Sequence, residues 1–208
     1  LFKLPKMENA QDDVYYKALI EKAGMGVLPV LSNTQRIIHL CRLETPLGTM
    51  FACATDEGIC LLEFADRKML TTAFKTLSRQ LNALIVPSKN LHLNNLKMQL
   101  DEYFEGKRKV FTLPLFTPGT TFQNEVWNCL KTIPYGETRS YLQQAKAINN
   151  SAAVRAVANA NGMNRICIII PCHRVVGSNG SLTGFTGGLW RKRWLLDLES
   201  SAIKPMLF

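Results

Sequence analysis

Ile168-Ile169-Ile170-Pro171-Cys172-His173-Arg174-Val175-Val176 puts one thiol at the end of an apolar run, with a histidine and an arginine directly behind it. The run predicts a buried strand that stops at Pro171, which lacks a backbone N–H and has a fixed φ. A thiol is a strong nucleophile only as thiolate, and a neighbouring histidine or cation favours that form. The pattern reads as a rigid element presenting one activated sulfur. The other reading, a small apolar residue closing a strand, is the common fate of a free cysteine. Adjacency restricts the chemistry. Successive side chains of extended backbone point to opposite faces, so His173 reaches the Cys172 proton only through a water or after a turn. Cysteine hydrolases place their histidine far away in sequence, which speaks against a protease.

Helical patterns lie before this stretch. Phe122, Val126, Trp127, Leu130 and Ile133 have helical spacing, and Pro134-Tyr135-Gly136 ends it. Thr138 or Ser140 is placed to cap a helix from Tyr141 to Ile148. After Asn149-Asn150, Ser151 is the expected N-cap of a helix of small residues, Ala152 to Ala160. Two short helices joined by three polar residues make a helix-turn-helix candidate, with an ordinary helical hairpin as the alternative. Beyond Val176, the segment Thr183-Gly184-Phe185-Thr186-Gly187-Gly188 is a glycine-dense loop whose backbone N–H groups can approach a ligand. It lacks the surroundings of a dinucleotide fingerprint. Leu189 to Leu198 predicts a closing helix that carries Arg191, Lys192 and Arg193 and ends near Glu199.

The first half alternates strand and turn signals. Ile37 to Leu40, Met50 to Cys53 and Ile59 to Phe64 are separated by Pro46-Leu47-Gly48 and Asp56-Glu57-Gly58, the pattern of an antiparallel meander. Leu70, Phe74, Leu77, Leu81 and Leu84 predict a helix over 68–84, a second helix runs from Leu93 to Phe104, and Phe111 to Leu115 reads as a strand. The expected fold class is α+β. A small N-terminal domain of antiparallel sheet and helices (35–117) precedes a mainly helical C-terminal domain with a winged helix-turn-helix (118–208). Residues 1–34 are an arm without an assigned role, in which 12–23 predict a short helix.

With 208 residues, 47% of them hydrophobic, the chain is long enough for a proper core. Its net charge is +9, and residues 119–208 hold ten lysines and arginines against four acids. That balance fits a polyanionic partner such as DNA. Six cysteines (41, 53, 60, 129, 167 and 172) form no C-x-x-C pair, and neither a membrane-span run nor a signal-peptide pattern stands out. Reduced thiols in a cytoplasmic protein, or a nuclear one in a eukaryote, are the natural expectation. His39, Cys41, Cys53, Cys60 and His92 match no tetrahedral metal spacing, so no metal is expected.

Taken in order, these residues resemble the O6-alkylguanine-DNA alkyltransferase family. The resemblance rests on Gly119-Thr120-Thr121-Phe122-Gln123, Val126-Trp127, Ile133-Pro134-Tyr135-Gly136-Glu137-Thr138, Ser140-Tyr141, Arg155-Ala156-Val157, Pro171 to Val176 and Gly187-Gly188. It extends more faintly to Thr45-Pro46-Leu47-Gly48. It implies that Cys172 accepts an alkyl group from O6-alkylguanine, with O4-alkylthymine as a second candidate substrate. It further implies that His173 activates the thiol through a water and that Glu199 holds His173. Tyr141 then stabilises the leaving guanine and rotates the phosphate of the flipped nucleotide. Asn164 braces the turn between recognition helix and active-site segment. Arg155 enters the duplex in place of the flipped nucleotide, while Ser140, Ala152, Ala153, Ser178 and Lys192 face DNA. Phe185, Thr186, Gly187 and Asn161 line the substrate pocket.

The implied partner is the minor groove of double-stranded DNA, met by a monomer that needs no cofactor and no membrane. The base must be flipped to reach the thiol, and the thioether product cannot be reversed, so each molecule acts once. Four departures from the family pattern bear on substrate range and rate. Phe185 stands where tyrosine is common, and Asn161 replaces a small or apolar residue. Asn149-Asn150-Ser151 replaces a Gly-x-Pro turn, and Gln144 replaces a leucine whose packing role falls to Leu142. The alternatives are a non-catalytic lesion sensor and a methylation-responsive transcription regulator, with a cysteine hydrolase further off.

Overall fold

The structure is a computed structural model that describes residues 36–201. The arm 1–34 and its expected helix lie outside the described residues. Arg36–Leu43 (β1), Met50–Thr55 (β2) and Gly58–Phe64 (β3) form the expected meander, β1 antiparallel to β2 and β2 to β3. The first turn is tied by Thr45, whose hydroxyl donates to the Gly48 carbonyl at 2.7 Å; Gly48 has φ +103°, a conformation that favours glycine.

Leu70–Leu81 (α1) is shorter than its sequence pattern, because Asn82 adopts φ 46° and closes the helix with its N–H on the Arg79 carbonyl. Leu84 then belongs to Ala83–Pro87 (β4), which runs parallel to β1 and completes the order β3-β2-β1-β4. The sheet is therefore mixed. A four-residue apolar run after a helical pattern carries no period that distinguishes strand from helix. Phe111 to Leu115 is not a full strand: only Leu115 bridges to Ile59. Pro114 has no N–H to contribute, and β3 gives the rest of that edge to Ile166.

Both faces of the sheet are covered. Ile38, Leu40, Phe51, Cys53 and Leu61 pack on Leu70, Phe74 and Leu77 of α1. The opposite side chains, among them Met50, Ala52, Leu62 and Phe64, pack on Leu91–Phe104 (α2) and merge with the core of the second half through Trp127, Ile166 and Leu195. Asn90 caps α2, accepting from the His92 and Leu93 N–H groups. One core thus joins the two halves, and the site lies on their seam.

The second half contains Thr121–Lys131 (α3), Arg139–Ser140 (β5), Tyr141–Ala147 (α4), Val154–Gly162 (α5), Val175–Val176 (β6) and Leu189–Ser201 (α6). Capping boxes at Thr120–Gln123 and Ser140–Gln143 start α3 and α4, so Ser140 rather than Thr138 is the cap. Ser151 does not cap α5. It opens a 3-10 turn, Ser151–Ala153, which makes no side-chain cap bond.

The pairing of α4 with α5 explains two of the departures together. Gln144 is fully buried, and its side-chain amide exchanges hydrogen bonds with that of Asn161 at 3.2 and 2.7 Å; Gln144 also donates to the Val126 carbonyl. Asn161 is therefore tied between helices, its side chain engaged with Gln144. Each polar substitution supplies the partner that the other requires in the core. Leu142 stays 42% exposed and takes no packing role there.

Candidate active site

The apolar run before Cys172 is not a strand. Ile166 alone bridges to Leu62, with the Leu62 N–H donating to Arg165 O at 2.7 Å and Cys167 N–H to Leu62 O at 2.8 Å. The chain then turns, and Ile168 takes φ 72°, a conformation costly for a β-branched residue. Asn164 holds that turn closed. Its Oδ1 accepts from the Ile166 N–H at 3.0 Å, and its Nδ2 donates to Ile170 O at 2.9 Å and to Cys172 Sγ at 3.2 Å. Cys172 begins a 3-10 turn, Cys172–Arg174, which is the turn after Pro171 that adjacency called for. Replacing Asn164 with alanine orphans the buried Ile166 N–H and removes the donor facing sulfur. A loss of about 2 kcal/mol in unfolding free energy, read from denaturant midpoints, is expected.

His173 is fully buried, and its Nε2 lies 2.9 Å from Glu199 Oε1. Glu199, also fully buried, accepts from Tyr103 Oη at 2.7 Å, from the Gly136 N–H at 3.0 Å, and twice from Arg174, through Nε and Nη2 at 2.9 Å each. Burial pushes the Glu199 carboxyl up, but the His173 and Arg174 contacts outweigh it and hold the group well below the carboxylate range. Arg174 supplies the cation of that pair, while burial depresses His173 and keeps it neutral. A neutral imidazole that donates from Nε2 leaves Nδ1 as an acceptor, and Nδ1 is buried without a partner among the described residues. It therefore makes no direct hydrogen bond to Cys172. Burial raises the Cys172 thiol to about 11, against the bond from Asn164 and the more distant charges of Lys192 and Arg67. The resting sulfur is a thiol, and the next residue carries a neutral imidazole whose Nδ1 has no partner among the described residues.

Parallel pairing of β5 with β6 brings the start of α4 beside the segment that follows Cys172. Tyr141 Oη there donates to Thr183 O at 3.1 Å. Phe185 is buried, Thr186 is exposed, and Gly187 fits because a Cβ would collide with the Phe185 and Phe64 rings. Arg155, Ala152 and Ser178 are exposed, and Ser140 and Ala153 are half-buried. Lys192 is not at the surface. It is fully buried, and its ammonium donates to Val175 O and Thr183 O at 2.5 and 2.6 Å, with burial lowering its pKa to about 8. The Val175 and Thr183 carbonyls hold the ammonium inside against that desolvation, so Lys192 ties the glycine loop to α6. Arg191 is internal as well, paired with Asp66 and stacked 4.1 Å from the Phe64 ring centre. Of the basic triplet only Arg193 is exposed.

Three participants escaped the sequence reading. Tyr103 comes from α2, 96 residues before its acceptor. Arg174 was visible in the motif but not as the partner of Glu199. Arg67, paired with the buried Glu63, donates to Gly162 O at 3.0 Å and clamps the segment that carries Asn164. The only available signal was chemical: a tyrosine at a core position of a helix needs a hydrogen-bond partner. Among the described residues no group of three His, Cys, Asp or Glu side chains is arranged to hold a metal ion.

Known proteins resemble this chain along most of its described residues. Residues 38–117 match the family profile described as 6-O-methylguanine DNA methyltransferase, ribonuclease-like domain, and residues 121–201 match its DNA binding domain. The methylated-DNA–protein-cysteine methyltransferase of Methanosarcina acetivorans is 41% identical over 162 residues, covering 76% of this chain and 96% of that protein. The inducible protein of that name in Bacillus subtilis is 54% identical over 109 residues, which span 52% of this chain and 61% of that protein. Among solved structures, the Mycobacterium tuberculosis O6-methylguanine methyltransferase superposes with a TM-score of 0.69 at 38% identity, covering 81% of this chain and 96% of that one. The Mycobacterium tuberculosis OGT in complex with DNA gives 0.68 at 38% identity, over 79% of this chain and 94% of that one. Matched in both halves and 41% identical to a relative along nearly that relative's whole length, the chain belongs to the 6-O-methylguanine DNA methyltransferase family.

Proposed function

We propose that the protein repairs DNA by moving the alkyl group of O6-alkylguanine onto Cys172, once per molecule. The observation that carries this reading is the buried set of Asn164, Cys172, His173 and Glu199, in which a thiol faces a donor while a neutral imidazole keeps Nδ1 free to accept. His173 takes the thiol proton through an intervening water, because no direct bond joins the two residues. The sulfur attacks the alkyl carbon as its bond to O6 breaks, and guanine leaves with a proton from Tyr141, which the proton taken up by His173 then restores through water. A C–S bond replaces a C–O bond. No group beside the thioether can reverse it, so the protein is spent.

A buried sulfur cannot reach a stacked base, so the nucleotide is flipped out at a cost of about a few kcal/mol. The exposed Arg155, with the small Ala152 and Ala153 beside it, suits entry from the minor groove, where inserted side chains hold an unstacked duplex open. Phe185 and Gly187 form the apolar end of the base pocket, Thr186 its rim, and Ser140 and Ser178 flank the strand. O4-alkylthymine is a second substrate on this reading. The protein works as a monomer, and its six unpaired thiols fit the reducing cytoplasm, or a nucleus. No helix among the described residues is long and apolar enough to cross a membrane.

The test is single-turnover transfer of a labelled methyl group from an O6-methylguanine duplex, followed by peptide mass mapping. One label per molecule on the Cys172 peptide is expected. Tight binding to the lesion with no label on protein would replace this reading with that of a sensor.

A further inference from the structure

We infer that Tyr103, carried on α2 of the N-terminal half, is a positioning residue for the proton relay: its hydroxyl holds Glu199 Oε1 and so sets the orientation and basicity of His173. The inference rests on the alkyl-transfer reading and adds a member to the relay from outside the DNA-binding half. Tyr103 Oη lies 2.7 Å from Oε1, the oxygen that also receives His173 Nε2 and Arg174 Nη2 at 2.9 Å each. Tyr103 and Glu199 are both fully buried, so water does not compete for that oxygen. Burial and the Glu199 charge push the tyrosine well above its ordinary value, which keeps the hydroxyl a donor at any working pH.

The ring and the hydroxyl do separate things. The ring packs against Phe104, Phe111 and Tyr135, with centroids 5.5, 5.4 and 6.0 Å away. Packing therefore survives without the oxygen, yet the oxygen is spent on the carboxylate that orients the base. The charged and titratable groups around Glu199 are Tyr103 from α2, Tyr135 from the loop after α3, and His173 and Arg174 from the 3-10 turn. Those around His173 are Glu199, Arg174 and Lys192 of α6. Within this set Tyr103 is, besides His173 itself, the neutral donor to Oε1, and it spreads the carboxylate charge. Losing it concentrates charge on the oxygen that faces His173 Nε2–H, which makes the imidazole more basic and keeps it protonated to higher pH. A protonated His173 cannot accept the thiol proton, so transfer slows on the acid side.

The test is Tyr103→Phe in the full chain, assayed by transfer of labelled methyl from an O6-methylguanine duplex between pH 5.5 and 9, with DNA affinity and His173 titration by NMR alongside. The acid limb of the rate profile should move up by about 0.5–1 unit, so the rate should fall roughly 3–10-fold on the acid limb and by no more than about threefold at pH 7, at unchanged DNA affinity. In a Glu199→Gln background the same change should cost nothing further. Phe111→Leu, which loosens the ring cluster without touching Oε1, should lower Tm and leave the profile in place. Should Tyr103→Phe fold poorly, 3-fluorotyrosine at position 103 strengthens the donor and should move the limb down.

An unaltered protein that transfers no label defeats the alkyl-transfer reading itself. Transfer by the unaltered protein with no movement of the limb in Tyr103→Phe or the fluorotyrosine protein overturns the inference alone. So does an equal loss in the Glu199→Gln background.

Discussion

Cys172→Ala is expected to take methyl transfer to background while leaving affinity for an O6-methylguanine duplex within about twofold, since sulfur is the acceptor but not a DNA contact. The fold should survive. Asn164 loses one of its three bonds and keeps those to Ile166 and Ile170, and removing one buried sulfur costs on the order of 1 kcal/mol. No other thiol is placed to substitute. Cys53, Cys60 and Cys167 are buried in the core, Cys167 with its thiol on Glu63 Oε1 at 3.3 Å. Burial raises Cys41 to about 12 and Cys129 above its ordinary value. Label on any of these in the variant would show that Cys172 is not the sole acceptor. Label released from DNA without attachment to protein would point to a hydrolase.

Glu199→Ala should produce the largest loss of stability, about 3–5 kcal/mol by denaturant unfolding, together with a fall in transfer of about 100-fold or more. The carboxylate accepts from four residues, and its removal strands the buried Arg174 cation and releases His173 from its tautomer. Glu199→Gln keeps the shape and should cost less stability while still slowing transfer.

The pH dependence follows from two depressed groups. Glu199 has a folded pKa below its ordinary 4.5, so its contribution is complete above about pH 4.5 and is lost as pH falls toward the folded value. His173 is depressed below its ordinary 6.5 by burial, so its contribution is complete above about pH 6.5 and is lost as pH falls below that. Both act in the same direction. Thermal melts of the unaltered protein should therefore decline steadily below pH 6.5, and Glu199→Gln should flatten the part below 4.5. A curve that rises on acidification would contradict the neutral His173 on which the relay depends.

Local signals were legible where they were dense. The meander between Arg36 and Phe64 showed in its turns, since Pro46-Leu47-Gly48 and Asp56-Glu57-Gly58 leave the backbone few options. The cap of α4 showed only as Thr138 or Ser140, and the box at Thr120–Gln123 that starts α3 went unread, although both capping boxes stand in the sequence. Ala83 to Val86 did not show as a strand, because an apolar run has no period of its own and becomes β4 only by lying along β1. Ile168 to Ile170 misled in the opposite direction. Their hydrophobicity reports burial, but Asn164 and a single bridge to β3 convert the buried run into a turn.

Chain order and residue type alone determined the nucleophile, the histidine behind it and the family to which they point, because a nucleophile and its flanking residues are covalent neighbours. Partnership was a different matter. Tertiary structure decided that Glu199 is buried, that it is shared by His173, Arg174 and Tyr103, that Lys192 turns inward, and that Asn161 answers Gln144. Each of those contacts joins groups separated by between 9 and 96 positions of chain. A buried polar atom must find a partner, yet its own residue type does not say which one. That choice is made only when the two halves close on one core.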